Sequence, residues 1–246
     1  EAFLVRCAQV MQLADFILTD SNSARDDILE MARKHALPVP AVLPFRLGDE
    51  IEQVAINDES TIPHLQSLLD GRGFVLCVSA LDIRKNHHTL YHCWVRMYEA
   101  YGKETPHLVL VGAKSHRVKE LMATIGNDPR MVNLIHIMHH VEDDGLDWLY
   151  RHCLFTIYPS WYEGYGIPVA ESLAYGKICL TANTSSMPEI APTLTPLIDP
   201  LDFKAWYAEI TKFCFSEAAR NALEERIRNE YKSTSWDDCV DQVWPA

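Results

Sequence analysis

Two glutamates, Glu163 and Glu171, enclose the segment whose residue types are best suited to hold a ligand. Seven residues separate them, among which are Gly164, Gly166 and Pro168. The glycines allow the backbone to approach a ligand closely. The proline suits the first turn of a helix, because the N–H that it lacks has no partner there. We therefore expect Glu163 in a loop and Glu171 inside the helix that follows.

The start of this predicted helix favours an anion, because its first N–H groups have no partners within the helix. Two carboxylates beside a phosphate site are unfavourable unless they bind another part of the same ligand. Sugar hydroxyls fit, since a carboxylate accepts hydrogen bonds from them well. The backbone N–H groups of Tyr165, Gly166 and Ile167 are the candidates for phosphate and sugar contacts. The segment thus predicts a ligand that carries both phosphate and sugar.

The elements that must position this loop alternate between strands and helices. Apolar runs predict strands at 74–79, 107–111, 132–136, 154–158 and 177–181. Helical patterns occupy 87–101, 115–124, 143–152, 168–175, 202–214 and 216–242. Such alternation is typical of an α/β fold with a doubly wound, Rossmann-like parallel sheet. Arg84 and Lys85, which follow the first of these strands, then lie at the carboxyl edge of that sheet, where open α/β folds bind ligands.

Several segments in chain order resemble one family. They read VSALDIRKN at 78–86, LVLVG at 108–112, YPSWYEGYGIP at 158–168, SSMPEI at 185–190 and DP at 199–200. Together with the two glutamates they resemble the retaining glycosyltransferases of the GT-B fold, specifically family 4 with its E-x7-E signature. The resemblance covers roughly residues 74 to 200, which is far more specific than any single motif.

The resemblance also implies a domain organisation. The run ADFILTDSNSAR at 14–25 looks like the end of the family's N-terminal domain, and a proline-rich stretch at 38–44 marks the best boundary. We expect 1–45 to be the tail of the acceptor domain with the linker, and 46–246 to be the donor-binding domain. The chain begins at Glu1 rather than methionine, so we expect a fragment. Two outcomes stay open, an active chain and one that binds donor without turnover.

The resemblance assigns roles to particular side chains. Lys85 and Arg84 would neutralise the charge that grows on a nucleotide diphosphate leaving group, without a metal. Glu163 would face the donor sugar, and Glu171 would hold the ribose hydroxyls. Ser79 stands where many relatives have glycine, so Arg84 would share phosphate binding with Lys85.

Simpler interpretations exist for the same residues. Arg84 and Lys85 would also suit a solvated pair at a helix start, and Glu171 would suit a carboxylate that complements a helix dipole. Base recognition rests on the run NLIHIMH at 133–139, whose His136 looks like part of the family's base-pocket wall. That run does not decide between guanine and uracil. The arginine–lysine–asparagine segment resembles mannosyltransferases of bacterial polysaccharide assembly and favours GDP-mannose over a UDP-sugar.

The composition argues against other ligands and partners. The chain has 11 histidines, and His88 and His92 are spaced like metal ligands on a helix, but surface or capping roles explain them better. We expect no metal and no cofactor, with the nucleotide sugar as a substrate. A net charge of −12 argues against nucleic acid. Seven cysteines without a C-x-x-C pattern favour reduced thiols and a cytosolic protein.

The leading hypothesis is the donor half of a nucleotide-sugar-dependent, retaining glycosyltransferase. Its acceptor would be a growing polysaccharide or a lipid-linked glycan, with peripheral contact at the inner membrane face through the absent domain. A non-catalytic nucleotide-sugar-binding module is one alternative. Another GT-B enzyme, such as a sugar-nucleotide epimerase or a phosphorylase, is a second. A nicotinamide-dependent enzyme ranks last, because no G-x-G-x-x-G follows the strand that ends at Gly112.

Overall fold

The chain folds around two parallel sheets of unequal size. The structure is a computed structural model that describes residues 2–50, 61–115 and 118–244. In the N-terminal unit, residues 2–44, strands β1 (Phe16–Thr19) and β2 (Ala41–Pro44) pair in parallel. Helices α1 (Ala2–Leu13) and α2 (Asn22–His35) accompany them.

The larger sheet has six parallel strands in the order β5-β4-β3-β6-β7-β8. Their bounds are β3 Phe74–Val78, β4 His107–Val111, β5 Ile135–Met138, β6 Phe155–Tyr158, β7 Cys179–Ala182 and β8 Leu197–Ile198. The helices that follow the N-terminal unit are α3 Thr61–Leu68, α4 His87–Tyr101, α5 Lys119–Asn127, α6 Asp143–His152, α7 Ile167–Ala174, α8 Met187–Ile190, α9 Phe203–Phe215, α10 Glu217–Glu230 and α11 Trp236–Val243. The predicted fold class, a doubly wound parallel sheet, is confirmed.

Strand composition explains why both faces of this sheet are covered. The central strands β3, β4 and β6 are continuous apolar runs whose residues are almost all buried. Such runs are typical of parallel strands with helices on both faces. One face packs on a core that includes the fully buried Trp94 and Trp206. The opposite face packs on a smaller core that includes Leu65 and Leu149, from α3 and α6.

The strand order creates a crevice in the middle of the sheet. From β3 the chain moves outward through β4 and β5, and then returns to place β6 on the other side of β3. The loops that leave β3 and β6 therefore diverge, and ligands of doubly wound folds bind at such a switch point. This topology brings the segments after Val78 and after Tyr158 to one place.

Element boundaries mostly agree with the sequence, and the differences have local causes. The predicted strand 132–136 is shifted, because 131–134 form turns and β5 spans Ile135–Met138. Helix α7 begins one residue before the predicted 168–175. Part of the predicted helix 115–124 falls at 116–117, outside the described residues, and α5 begins at Lys119. The short strand β8 was not predicted.

The predicted single helix over 216–242 is wrong. It divides into α10 and α11, separated by an extended stretch after Tyr231. The carbonyl of Thr234 accepts hydrogen bonds from the backbone N–H groups of Asp49 and Glu50, at 2.9 and 3.2 Å. Helix α11 then starts with a capping box between Ser235 and Asp238. Tertiary contacts with the segment after β2 thus interrupt a helical pattern.

Candidate functional site

The central crevice of the large sheet contains a cavity of about 550 Å³ at the carboxyl ends of β3, β4 and β6. The predicted site residues that line it are Ser79, Lys85, Glu163, Gly164, Tyr165, Gly166, Ile167 and Glu171. A cavity of this size suits a small organic ligand. The structure therefore brings together eight of the ten predicted site residues. Arg84 lies beside them, bonded to Glu163, and His136 does not reach the cavity.

A tight turn after β3 separates two adjacent cations. Residues Ile83–Lys85 form one 3-10 turn, whose first N–H groups are capped by Asp82; its carboxylate accepts from Arg84 N at 3.1 Å. Asn86 then takes a left-handed conformation with φ of 55°. As a result, Lys85 points inward and is buried, while the Arg84 side chain stays about half exposed. The Lys85 ammonium therefore lies in the interior, and the Arg84 guanidinium lies nearer to the surface.

Both cations bind the same carboxylate. Lys85 Nζ lies 2.6 Å from Glu163 Oε1, and Arg84 Nη1 lies 2.7 Å from Glu163 Oε2. The Lys85 ammonium also contacts the hydroxyl of Tyr158 at 2.6 Å. Tyr158 is the last residue of β6 and lines the cavity, and sequence reasoning missed it. The signal in the sequence was a tyrosine, with its polar hydroxyl, at the end of an otherwise apolar strand.

Two serines hold the loop that carries Glu163. The Ser185 hydroxyl accepts a hydrogen bond from Glu163 N at 2.9 Å. The Ser186 hydroxyl lies 2.7 Å from the carbonyl oxygen of Tyr165 and 3.1 Å from that of Glu163. Sequence reasoning recognised this SSMPEI segment by resemblance and gave it no role. The structure shows that it fixes the path of the Glu163 backbone.

The loop ends in a backbone conformation that favours glycine. Gly166 precedes α7 with a φ of 108°, a backbone conformation that residues with a side chain rarely adopt. Helix α7 begins at Ile167; Pro168 has no N–H and Val169 N donates to the Gly166 carbonyl at 2.8 Å, so the Ile167 N–H is the donor that the first positions of the helix leave for a ligand. Gly166, Ile167 and Pro168 all line the cavity. The predicted anion-favouring helix start therefore faces the cavity.

Glu171 lies one turn into α7 and has partners of a different kind. One of its oxygens, Oε2, accepts a hydrogen bond from the Tyr150 hydroxyl at 2.8 Å. Burial raises the pKa of Glu171 above its ordinary value, although the Tyr150 bond opposes the shift and the charge of Asp49 adds to it. No cation bonds to this carboxylate within the described residues. The simpler interpretation of Glu171, a carboxylate that complements the helix dipole, fits less well, because Glu171 lies beyond the first turn of α7.

The floor of the cavity is formed where β3 and β4 end. A Cβ atom at Gly112 would lie 2.1 Å from the carbonyl oxygen of Ser79, so only glycine allows the two strand ends to come this close. Ser79 lines the cavity, and its hydroxyl lies 3.1 Å from His87 Nε2. Burial lowers the pKa of His87 to about 4. This ring is therefore neutral near pH 7.

The N-terminal unit contacts the Glu163 loop directly. Ser21 donates to the carbonyl oxygen of Gly164 at 2.6 Å. A Cβ atom at Gly164 would meet a carboxylate oxygen of Asp20 at 2.8 Å, and Asp20 lines the cavity. The Glu189 carboxylate accepts bonds from the backbone N–H groups of Asn22 and Ser23, at 2.8 and 2.7 Å. Of these residues, only Gly164 was a predicted site residue; Asp20, Ser21 and Glu189 had no predicted role in the site.

One predicted placement, that of His136, differs from the structure, and the side chains of Asn86 and Trp161 are directed away from the cavity. His136 Nε2 lies 2.9 Å from His107 Nδ1, in a cluster that ends at Asp70, so the prediction that His136 forms a wall of the base pocket finds no support. Asn86 occupies the N-cap position of α4, but its side chain makes no capping bond and contacts the Pro159 carbonyl instead. Trp161 is 38% exposed and does not line the cavity.

The described residues contain neither a cluster of metal ligands nor a membrane-spanning helix. Across residues 2–50, 61–115 and 118–244, no three His, Cys, Asp or Glu side chains are grouped so that they could hold a metal ion. In the same ranges, no helix combines the length and the apolar character needed to cross a bilayer.

Curated mannosyltransferases of Escherichia coli are similar to the chain. O-antigen chain mannosyltransferase B of Escherichia coli is 26% identical over 231 residues, a match that covers 94% of this chain and 59% of that protein. Serotype-specific mannosyltransferase WbdA of Escherichia coli is 23% identical over 230 residues, covering 91% of this chain and 27% of that protein. The chain thus spans less than two thirds of the length of these relatives.

Solved structures share the fold at low identity. An alpha,alpha-trehalose-phosphate synthase (UDP-forming) from Burkholderia vietnamiensis superposes with a TM-score of 0.76 at 14% identity, over 96% of this chain and 59% of that one. The N-terminal domain of a trehalose-6-phosphate phosphatase from Candida albicans gives a TM-score of 0.78 at 13% identity, over 96% of this chain and 58% of that one. The family described as glycosyl transferases group 1 matches residues 62–230, more than half of the chain. With its GT-B, Rossmann-like sheet and its E-x7-E loop, the chain belongs to the glycosyl transferases group 1 family.

Proposed function

We propose that this chain binds a nucleoside-diphosphate sugar and serves the transfer of that sugar to a glycan, with retention of configuration. One observation carries the proposal. A single cavity holds Lys85 and Glu163, the start of α7, and the partly buried carboxylate of Glu171. A nucleoside-diphosphate sugar offers a matching group to each of them: a diphosphate for the cations and the helix start, and hydroxyls for both carboxylates.

The diphosphate would bind at Lys85, Arg84 and the start of α7. The Lys85 ammonium has three N–H donors, and its contacts with Glu163 and Tyr158 leave one for a phosphate oxygen. Arg84 uses Nη1 for Glu163 and for the Tyr162 carbonyl, which leaves its other nitrogens for a ligand. Fixed positive charge at this place stabilises a leaving group as its negative charge grows. The cations supply this stabilisation without a divalent ion.

Glu163 and Glu171 would bind the two sugars of the donor. Glu163 is held next to the cations that receive the diphosphate, so its carboxylate lies beside the sugar attached there. Glu171 lies further along α7 and would accept hydrogen bonds from the ribose hydroxyls. In the transfer step, the bond between the anomeric carbon and the phosphate oxygen breaks, and its electron pair stays on the diphosphate. The acceptor oxygen bonds to the anomeric carbon from the same face, and its proton passes to the departing phosphate oxygen.

The relatives narrow the proposal to one donor and one class of acceptor. The curated proteins that the chain resembles are named as mannosyltransferases, one of them for the O-antigen chain. We therefore favour GDP-mannose over a UDP-sugar, and a growing polysaccharide as acceptor. The division at 45/46, with acceptor-domain residues before it and donor-domain residues after it, belongs to the same proposal. The separate two-stranded sheet of β1 and β2, which ends at Pro44, supports it.

Calorimetric binding tests this proposal. We expect one of GDP, UDP, GDP-mannose and UDP-glucose to bind selectively, and we expect Lys85→Met and Glu171→Ala to weaken that binding. Lys34→Met is a suitable control, because Lys34 is an exposed residue of α2 that pairs only with Glu30 within the described residues. Binding that is equal in all three variants would place the ligand elsewhere. Absence of binding by all four nucleotides would contradict a working donor site in this chain.

A further inference from the structure

Tyr150 is the direct hydrogen-bond partner of Glu171. It belongs to α6 and is 1% exposed, whereas Glu171 belongs to α7 and lines the cavity. The Tyr150 hydroxyl donates to Glu171 Oε2 at 2.8 Å. Burial beside this carboxylate raises the pKa of Tyr150 well above its ordinary value. The hydroxyl is therefore protonated throughout the physiological range and acts as the donor.

The Tyr150 ring is itself held in a fixed place. It stacks on the ring of Tyr175, with centroids 4.8 Å apart and planes 9° from parallel. The Tyr175 hydroxyl lies 2.9 Å from Asp147 Oδ1. Arg151 closes the chain of contacts with two bonds to the Asp147 carboxylate, at 2.7 and 2.9 Å. A donor supported in this way has little freedom to move.

This arrangement leaves the second oxygen of Glu171 for a ligand. In the described part of the chain, Tyr150 is the hydrogen-bond partner of this carboxylate, and it uses Oε2 alone. A glutamate side chain has three rotatable bonds, and a free one samples several rotamers. A bond to a fixed buried donor selects one of them before the ligand arrives. Preorganisation of this kind increases affinity because less freedom is lost on binding.

We propose that Tyr150 is a positioning residue for donor recognition, which holds Oε2 of Glu171 so that Oε1 meets the ribose hydroxyls. The inference rests on the proposed function, in which Glu171 binds ribose. It adds a residue outside the cavity to the recognition of a ribonucleotide. A purely structural role is the alternative, since a buried tyrosine hydroxyl needs a partner in any case. The two roles differ in what happens to selectivity for the ribose hydroxyls.

The test is calorimetric and compares GDP with 2′,3′-dideoxy-GDP, or the uridine pair if the chain prefers UDP. We expect the wild-type chain to bind the ribonucleotide about tenfold more tightly than the dideoxynucleotide, because one or two good hydrogen bonds have about this effect. Glu171→Gln is expected to remove most of this preference. Tyr150→Phe is expected to lower it about threefold, although the Glu171 carboxylate is intact.

Tyr91→Phe is the matched control. It also removes a tyrosine hydroxyl bonded to a carboxylate, that of Asp128 at 3.0 Å, but on α4 and away from the cavity. We expect it to leave the preference unchanged. If Tyr150→Phe does not fold, Glu171→Asp replaces it, because the shorter carboxylate cannot reach the hydroxyl and the ribose together. Either Tyr150→Phe or Glu171→Asp is used. If that variant prefers the ribonucleotide as strongly as the wild type does, the inference is overturned.

The outcomes separate this inference from the proposed function. If Glu171→Gln keeps the full ribose preference, or if neither nucleotide binds, the proposed role of Glu171 fails, and the inference fails with it. If Glu171→Gln loses the preference while Tyr150→Phe keeps it, Glu171 binds ribose without help from Tyr150, and only the inference fails.

A pH profile supplies a second readout. The Tyr150 bond opposes the rise that burial causes in the pKa of Glu171, and the charge of Asp49 is unchanged by the substitution. In Tyr150→Phe, the fall in ribonucleotide affinity on lowering the pH should therefore begin at a higher pH than in the wild type. A profile identical to wild type would contradict a bond that acts on this carboxylate.

Discussion

Two parts of the cleft hold their glutamates by different means. On the Glu163 side, formed by Arg84, Lys85, Tyr158 and Glu163, the carboxylate is buried and binds two cations at 2.6 and 2.7 Å. On the Glu171 side, formed by Tyr150 and Glu171, the carboxylate accepts one bond from a neutral hydroxyl at 2.8 Å. The first part is an ionic cluster, and the second is a carboxylate oriented by an uncharged donor.

The difference suggests how each part responds to a ligand. A diphosphate that enters the Glu163 side binds the donors that Lys85 and Arg84 have left, next to the negative charge of Glu163, so that charge opposes phosphate binding. On the Glu171 side, the Tyr150 hydroxyl already orients the carboxylate that accepts the hydrogen bond. A ribose hydroxyl that binds there displaces only water. The first part should therefore govern affinity for phosphate, and the second should govern selectivity for the sugar of the nucleoside.

The two parts also differ in what supports them. Among the described residues, the N-terminal unit contacts the Glu163 side through Ser21 and Gly164, and through a hydrogen bond between Asp27 and Tyr162. The Glu171 side is supported from within the large sheet, by α6. Movement of the N-terminal unit should therefore alter the first part and leave the second unchanged.

The largest effect is expected from Lys85→Met, which removes the buried ammonium and keeps a side chain of similar length. A charge-assisted hydrogen bond to phosphate is lost, worth about 1.5–3 kcal/mol, and Glu163 is left with one cation. We expect GDP or UDP affinity to fall by about 100-fold, which corresponds to about 2.7 kcal/mol. Calorimetry measures this fall. An affinity within threefold of the wild type would show that Lys85 does not bind the diphosphate.

Glu163→Gln should have an opposite effect on the nucleotide alone. It frees both cations from their anionic partner, so we expect the diphosphate of free GDP to bind about tenfold more tightly, a change of about 1.4 kcal/mol. GDP-mannose should gain less, because it loses the carboxylate that faces its sugar. Folding should suffer, since removal of one partner from a buried ion pair costs about 3–5 kcal/mol.

Calorimetry with both ligands and urea unfolding of the free variant check these expectations. Glu171→Gln serves as the comparison, because it should weaken GDP binding without releasing a cation. Weaker binding of GDP by Glu163→Gln would show that the charge of Glu163 does not oppose the diphosphate.

The pH dependence of binding should separate the two parts further. In the proposed function Glu171 accepts hydrogen bonds from ribose, and a carboxylate accepts them best, so the deprotonated form is the one expected to bind. Burial raises its pKa above 4.5, and protonation therefore begins at higher pH than for an exposed glutamate. GDP affinity should fall as the pH is lowered from 7.5 toward 5, by a factor of about two to five, on the scale of one hydrogen bond.

Glu171→Gln is the control for this profile, because its amide does not titrate. Buffers matched for ionic strength keep the Lys85 contacts comparable across the pH range. The variant should show a flatter profile than the wild type. Parallel profiles in the two proteins would assign the titration to another group.

The backbone of the site was predictable, because it follows from local signals. The strand before Tyr158, the loop with two glycines and the helix containing Glu171 each have a sequence signature. Chain order and the parallel fold then place the segment with Lys85 beside that loop. The resemblance added the chemical roles that spacing alone does not provide.

The side-chain partners were not predictable in the same way. Tyr150 is separated from Glu171 by 21 positions and Ser21 from Gly164 by 143, and no local pattern links such pairs. His136 is the converse case, a residue that was predicted to line the site and does not. It lies on β5, next to the central strands, but the register of β5 directs its ring toward His107. Long-range pairing and register therefore decide which side chains reach the cavity.

The last effect is on stability rather than on nucleotide binding, and it is expected where the N-terminal unit contacts the Glu163 side. Glu189 accepts hydrogen bonds from the first backbone N–H groups of α2, at Asn22 and Ser23, and so acts as a cap supplied by a distant segment. Loss of a cap costs about 1 kcal/mol, and Glu189→Ala should lower the free energy of unfolding by that amount. Urea unfolding measures it, with the surface glutamate variant Glu209→Ala as control.

Hydrogen exchange then tests whether the two parts are independent. The amides of Asn22 and Ser23 should exchange faster in Glu189→Ala, together with those of the Glu163 loop, because Ser21 leaves the Gly164 carbonyl when α2 loosens. The amides around Tyr150 and Glu171 should exchange at the wild-type rate. Equal acceleration in both parts would mean that the cleft responds as one unit, and the division of roles between its two glutamates would have to be given up.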